Sequence, residues 1–304
     1  MCGIVGLLAK TTQAREHLGQ WLAPMFTCMS ARGPDSGGLA VFREPVDAPR
    51  KKYSLCANDR HYAWDQFGEA LQAKLTSTAM DTDSLDLVHR ENHAIISVQI
   101  DRQVFIRLID EIDSTLHVLS AGSAMDVFKD QGAPEEIAAR YQFGEIQGTH
   151  GVGHTRMATE SAVTPEHSHP FTAGEDFCLV HNGSLSNPYM LRRMLENEGL
   201  HFDTDNDTEA ACRYIEWQLR SGKDLAEALQ LAFRDLDGFY TLLMATRDRM
   251  TLVRDAFACK PAVVAETDDY VAVASEFRAL AHLPGVDEAR MFEPAPEEIY
   301  TWQV

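Results

Sequence analysis

Several protein classes are excluded by what this chain has little of. Its 304 residues include six cysteines, Cys2, Cys28, Cys56, Cys178, Cys212 and Cys259. They are scattered and contain no Cys-x-x-Cys pair, which argues against a zinc ribbon, a dithiol redox motif or a dense disulfide framework. Cys2 aside, they read as ordinary buried thiols. Long apolar runs are also missing. No stretch approaches the ~18 residues of a membrane span, and the N-terminus lacks the basic-then-apolar layout of a signal peptide. A cytoplasmic chain with no membrane partner is expected. Positive charge is scarce, with 27 Lys and Arg against 46 Asp and Glu and a net charge of -19. That balance repels phosphate backbones and anionic lipid, and no basic patch offsets it, so no nucleic-acid partner is expected. The acidic surface is either simply solvated or a docking face for a more basic partner. Gly33, Gly37 and Gly38 lack the spacing of a phosphate loop or a dinucleotide fingerprint. His167-Ser168-His169-Pro170 invites a metal reading, but no third and fourth ligand follows at a usual spacing. No metal is expected there; hydrogen-bonding roles fit better.

What is present is an ordinary globular composition, 45% hydrophobic and 24% charged. A chain this long buries roughly three-quarters of its unfolded surface. Ile4 to Leu8 reads as a strand, and Leu18, Leu22, Met25, Phe26 and Met29 align on one face of a helix that Arg32-Gly33-Pro34-Asp35 stops. Gly37 to Phe42 resumes as a strand, giving β-α-β. From about 43 to 148 the signals weaken. A helix near Phe67 to Leu75, a strand over Ala94 to Ile100, an amphipathic Val104 to Ile112 and a helix after Pro134 read together as an insertion in a single domain, 1–304. Two short apolar strands, Gly151 to Thr155 and Phe177 to His181, each run directly into polar residues. Helices are expected from Asn187-Pro188 to Gly199, over Thr208 to Arg220 and over Leu225 to Leu236. Phe239 to Thr246, Thr251 to Arg254, Ala262 to Glu266 and Tyr270 to Ala274 have period two and read as a mostly antiparallel sheet. The class is α+β, in layers.

Four clusters could carry chemistry. Removal of Met1 leaves the Cys2 thiol beside its own α-amine, and free α-amines titrate near neutral pH, so nucleophile and general base come in one residue. Gly3 permits close approach of substrate, and the apolar run anchors the terminus in a sheet. Arg156, at the end of Gly153-His154-Thr155-Arg156, could grip a carboxylate with two parallel hydrogen bonds or belong to a structural ion pair. Asn182 and Gly183, in His181-Asn182-Gly183, could stabilise an oxyanion or form a plain turn. Asp207, in Asp205-Asn206-Asp207-Thr208-Glu209, could receive an ammonium group, cap a helix, or both.

Met-Cys-Gly-Ile-Val-Gly, Arg-Gly-Pro-Asp, Gly-His-Thr-Arg, His-Pro, His-Asn-Gly and Asp-Thr-Glu occur in that order, and in this the chain resembles class II glutamine amidotransferases. The resemblance covers Met1 to about Phe42 and Gly148 to the C-terminus. It implies a four-layer αββα sandwich of the N-terminal-nucleophile hydrolase type. Cys2 would be the nucleophile and Asn182 with Gly183 the oxyanion hole; Arg156 and Asp207 would hold the α-groups of glutamine, with Thr159 adding a contact. Met157 and Glu160 depart from the aminosugar-synthesising branch, which usually has tryptophan and histidine there. Gly153 to Ser161, Cys259-Lys260-Pro261-Ala262 and Ala274-Ser275-Glu276-Phe277 look most like the stand-alone subunit of glutamate synthase-type enzymes, in particular of N-methylglutamate synthase. In such a complex FMN and an iron-sulfur cluster sit on other subunits, and this chain carries no cofactor. The expected function is glutamine hydrolysis with ammonia passed to a synthase partner. The rival is a non-catalytic docking or regulatory subunit that binds glutamine or glutamate without turnover. The purine and asparagine branches are a further alternative, against which stands the lack of a C-terminal synthetase or phosphoribosyl-binding domain.

Overall fold

A computed structural model describes residues 2–78, 85–158 and 163–304. The expected β-α-β opening is β1 (Gly3–Ala9), a short α1 (Thr12–Glu16), α2 (Leu18–Cys28) and β2 (Ser36–Phe42). β1 is buried along its whole length, and strand geometry sends successive side chains to opposite faces. Val5, Leu7 and Ala9 pack with Leu22, Met25 and Phe26 of α2, whereas Ile4 and Leu8 join Val180, Leu243 and Leu252 on the other side. One strand thus serves two cores, which is why its sequence reads as a continuous apolar run.

The next elements form a unit of their own: β3 (Lys51–Cys56), α3 (Trp64–Ser77), β4 (Asp86–Arg90), β5 (His93–Val98), α4 (Arg102–Ile112) and β6 (His117–Gly122). They make a four-stranded sheet, ordered β4-β5-β3-β6, over a core holding Tyr53, Trp64 and Phe105. The chain then returns to the body. β7 (Met125–Gln131) pairs with β2, and α5 (Pro134–Arg140) packs on α2. Of the stretch expected as an insertion, 43–148, the separate sheet therefore runs from 51 to 122.

Beyond it come β8 (His150–Arg156), β9 (Phe171–Thr172), β10 (Phe177–Leu185), α6 (Pro188–Asn197), α7 (Asp207–Arg220) and α8 (Leu225–Asp235). β11 (Gly238–Thr246), β12 (Arg249–Arg254), β13 (Val263–Glu266), β14 (Tyr270–Ala274), β15 (Arg290–Phe292) and β16 (Ile299–Gln303) complete the chain. A seven-stranded sheet, β15-β13-β14-β1-β8-β2-β7, faces a five-stranded one, β16-β12-β11-β10-β9. Helices α2 and α5 cover the outside of the first; α7 and α8 cover the second through Ala210, Tyr214 and Leu229 against Leu179, Leu242 and Met244. The result is the four-layer αββα sandwich. One expectation is corrected: the four period-two runs after Phe239 do not share a sheet. β11 and β12 belong to the five-stranded sheet and β13 and β14 to the seven-stranded one. Both faces of the two sheets are covered, so burial is the same in each and the residue pattern cannot separate them.

The cysteines need a second correction. Cys56, Cys178 and Cys212 are buried, but Cys28 is half-buried and Cys259 is exposed. No helix among the described residues is long and apolar enough to cross a membrane.

Candidate active site

β1 places Cys2 between the two sheets' ends, and three segments far away in sequence fix it there. The main-chain oxygen of Cys2 accepts from Arg32 Nε at 2.8 Å and from Asn182 Nδ2 at 3.3 Å. Arg32 is itself held by Glu276, with Nη1 to Oε1 at 2.8 Å. Next along the strand, the Ile4 N–H donates to Ser275 Oγ at 2.9 Å and the Ser275 N–H donates back to the Ile4 carbonyl at 2.9 Å. Packing by itself calls for glycine at position 3: a Cβ there would lie 2.7 Å from Met29 Cβ and 2.8 Å from Thr155 Oγ1.

β8 runs antiparallel beside β1, with Gly3 opposite Thr155, so its last residue, Arg156, emerges next to Cys2. Only 4% of Arg156 is exposed. Burial lowers its pKa, and the nearby Cys2, Asp35 and Asp205 pull it back up. Asp35 also shapes this strand end. Its N–H donates to the Arg156 carbonyl at 3.1 Å, and its carboxylate accepts the Ala158 N–H at 2.8 Å. Thr159 and Glu160 lie outside the described residues.

Asn182 and Gly183 are in the middle of β10, not in a turn, because the ladder to β11 continues through them from Phe177 to Leu185. Gly183 has φ +155°, and a Cβ there would lie 2.1 Å from the Phe239 carbonyl oxygen and 2.7 Å from His181 Nε2. Its partner Tyr240 turns both main-chain groups the other way. The Tyr240 N–H donates to the Asp255 carboxylate at 2.6 Å, and its carbonyl accepts the Asp255 N–H at 3.0 Å. Antiparallel ladders alternate hydrogen-bonded and open pairs, so the Gly183 N–H is directed away from β11. On that side β9 pairs with Cys178 and Leu179, and no strand among the described residues pairs with the edge beside Gly183.

Asp207 opens α7, but the cap is Asn206, whose side chain accepts the Thr208 N–H. Asp207 Oδ2 accepts the Leu185 N–H at 2.9 Å, and Oδ1 lies 3.7 Å from His181 Nδ1. Burial pushes this carboxyl up, but His181 and the Leu185 and Thr208 donors outweigh burial and hold it at about 2. Behind it, His169 Nε2 and His181 Nδ1 both meet Thr208 Oγ1, at 2.8 and 3.0 Å. His154 stacks on His169 at 3.9 Å and reaches the His181 carbonyl at 2.9 Å. Burial pulls His154 down to about 3 and His169 well below its ordinary value, so both are neutral. His167 lies 3.3 Å from Asp205 and 2.9 Å from Thr164. Among the described residues no group of three or more His, Cys, Asp or Glu side chains is placed to hold a metal ion.

The structure therefore brings Cys2 and Arg156, at the ends of β1 and β8, beside Asn182 and Gly183 within β10, with Asp207 at the start of α7 bonded to the end of the same strand. It adds Arg32, Asp35, Ser275 and Glu276, which sequence reasoning does not place among the site residues. Their signal was the Arg-Gly-Pro-Asp and Ala-Ser-Glu-Phe motifs, visible as strings without visible partners.

An αββα sandwich with a cysteine, Cys2, at the head of a central strand has the fold of N-terminal-nucleophile hydrolases. The sequence profile of the glutamine amidotransferase domain matches residues 154–282. The chain is 42% identical to the glutamine amidotransferase-like protein GlxB of Rhizobium meliloti, over 99% of this chain and 98% of that one. It is 33% identical to a putative glutamine amidotransferase of Methanothermobacter thermautotrophicus, over 99% of each chain. The chain belongs to the glutamine amidotransferase family. Its fold is similar to that of the glutamine phosphoribosylpyrophosphate amidotransferase from B. subtilis, with TM-score 0.60 and 20% identity over 99% of this chain and 47% of that one. The chain thus spans about half the length of that solved structure.

Proposed function

We propose that this chain is a glutaminase subunit working through a Cys2 thioester. With Met1 removed, the α-amine of Cys2 takes the thiol proton and the sulfur adds to the side-chain amide carbon of glutamine. The Gly183 N–H and the second amide hydrogen of Asn182 receive the oxyanion. Collapse breaks the C–N bond, the α-ammonium returns its proton to the departing nitrogen, and ammonia leaves behind a thioester. Water then attacks the thioester, the amine takes its proton, and glutamate departs as the thiol is restored. Arg156 pairs with the α-carboxylate, Asp207 receives the α-ammonium, and Thr159 adds a contact.

The observation that carries this reading is the double hold on the Cys2 carbonyl by Arg32 and Asn182, with Arg156 ending the adjacent strand. Such a hold fixes the direction of a residue that would otherwise fray. The ammonia goes to a partner of the glutamate synthase or N-methylglutamate synthase type, whose subunits carry FMN and an iron-sulfur cluster. The test is intact mass together with glutaminase assays of the wild type and Cys2→Ala, alone and with whatever co-purifies. Loss of one methionine and Cys2-dependent ammonia release support the reading. Glutamine binding without turnover in either state leaves the docking subunit instead.

A further inference from the structure

Thr208, the second residue of α7, is 1% exposed, so a ligand cannot reach it. Its hydroxyl is nonetheless the meeting point of three side chains at the candidate site. Oγ1 lies 2.8 Å from His169 Nε2, 3.0 Å from His181 Nδ1 and 3.3 Å from Asp207 Oδ1. A hydroxyl has one proton to give and two lone pairs with which to receive. An ionised carboxylate can only accept, so a proton sent to Asp207 requires both rings to donate to Thr208. Sent to either ring instead, the proton would leave that ring's own N–H on its other nitrogen. Among the described residues those other nitrogens, His169 Nδ1 and His181 Nε2, are buried without a partner, and a buried N–H in that state is costly. His154 follows the same pattern. Its Nε2 must donate to the His181 carbonyl, at 2.9 Å, and its Nδ1 is the nitrogen without a partner. One assignment therefore pairs every N–H of the three rings and leaves only bare lone pairs over, and in it the Thr208 proton goes to Asp207.

Asp207 is then fixed at both oxygens, Oδ2 by the Leu185 N–H at 2.9 Å and Oδ1 by the Thr208 hydroxyl. A carboxylate offers about four lone-pair sites, and 25% of this side chain is exposed, so capacity remains for a cationic ligand. We infer that Thr208 is a positioning residue of the ammonium pocket: anchored by His169 and His181, its hydroxyl holds Asp207 in the orientation from which the carboxylate receives the α-ammonium of glutamine. The inference rests on the glutaminase reading for the ligand on Asp207, but not on turnover by Cys2.

The test is calorimetric titration of the full chain, carrying Cys2→Ala to prevent turnover, with L-glutamine and with 4-carbamoylbutanoate, which is glutamine without its α-amino group. Adding Thr208→Val should raise the Kd for glutamine roughly tenfold, the scale of a hydrogen bond to a charged group, and leave the Kd for the des-amino compound within about twofold of its parent value. Thr208→Ser keeps the hydroxyl and should bind glutamine like the parent. An unchanged glutamine Kd in Thr208→Val overturns the inference. So does an equal loss for both ligands, which would make Thr208 a structural residue alone. If Thr208→Val fails to fold, nitrogen NMR of the histidines in the parent chain decides. The tautomers assigned above support the inference; His169 protonated on Nδ1, or His181 on Nε2 alone, overturns it, because Thr208 would then donate to a ring. Ammonia release is measured alongside on the chain with Cys2 intact. Its absence refutes the thioester reading and leaves the Thr208 result standing, whereas an active Cys2 with an unchanged Kd in Thr208→Val refutes this inference alone.

Discussion

The Arg32 guanidinium joins the two ends of the chain's site, donating through Nε to the Cys2 carbonyl at 2.8 Å and through Nη1 to Glu276 at 2.8 Å. Lysine has a single ammonium on a flexible stem and cannot reproduce this fork. Arg32→Lys should lower kcat by roughly 10- to 100-fold, the scale of about 1.5–3 kcal/mol for a hydrogen bond to a charged group, while KM for glutamine stays near wild type. Steady-state kinetics checks this; a fall confined to KM would move Arg32 into substrate binding.

Cys2→Ala should abolish ammonia release and leave the fold intact. An electrophilic glutamine analogue should label Cys2 alone, because recognition delivers it there. A generic alkylating agent should also label Cys259, which is exposed. Cys178 and Cys212 should resist it, since burial raises both thiols. Peptide mapping after each reagent separates the two patterns.

Arg156→Lys should raise KM for glutamine with a smaller change in kcat, by about 1.5–3 kcal/mol in kcat/KM, since one point charge replaces a two-pronged grip. An unchanged kcat/KM would remove Arg156 from the substrate site.

Gly183→Ala should destabilise the protein as well as inactivate it. Its Cβ meets the Phe239 carbonyl at 2.1 Å. Forced overpacking costs roughly 1–3 kcal/mol, and an unfavourable backbone region adds about 1–3 more. Denaturant unfolding at neutral pH measures the loss, and a variant as stable as wild type would contradict the close packing.

Stability should fall between pH 6.5 and 5. His93, His150 and His154 are pulled down by burial to about 3, 4 and 3, and His169 lower than its ordinary value. Below pH 6.5 the unfolded chain takes up protons that the folded chain refuses, so stability rises with pH through this window and levels off above it. Each histidine can contribute at most about 2 kcal/mol over that interval. The carboxylates held down to about 2, Asp207 and Glu166, lose their contribution only in more acid solution, below their ordinary values. Urea unfolding at pH 7.5 and 5.0 gives the difference; equal free energies would refute neutral burial of these rings.

Much of the sandwich is legible in the residues because strand and helix periods are strong wherever one face is buried. Leu18, Leu22, Met25 and Phe26 mark α2, and the apolar run at the start marks β1. Two things are not legible. The division of β11 to β14 between two sheets depends on which strands meet across the sandwich, and no local pattern carries that. Asn182-Gly183 has the chemistry of a turn, but nine consecutive pairs with β11 hold it as strand, so tertiary pairing overrides the dipeptide preference. Of the candidate site, Cys2, Arg156 and Asp207 stand out singly by residue type and position, each with a structural alternative, whereas Arg32 and Glu276 gain their partnership only from a contact 244 residues apart in sequence.

β1 is flanked by β8 and β14, its partners in sequence being about residues 150–156 and 270–274. Pairing across such separations must meet its loop-closure entropy before the contacts reward it. At roughly 5–20 residues per second of synthesis, Cys2 waits on the order of ten to fifty seconds between its own emergence and that of the strand that seals it. During that interval β1 lacks its later partner; afterwards it is paired on both sides. If Cys2 acts as proposed, removal of Met1 and the closing of β1 between its two partner strands are successive steps of one maturation, and the pace of synthesis sets the interval between them.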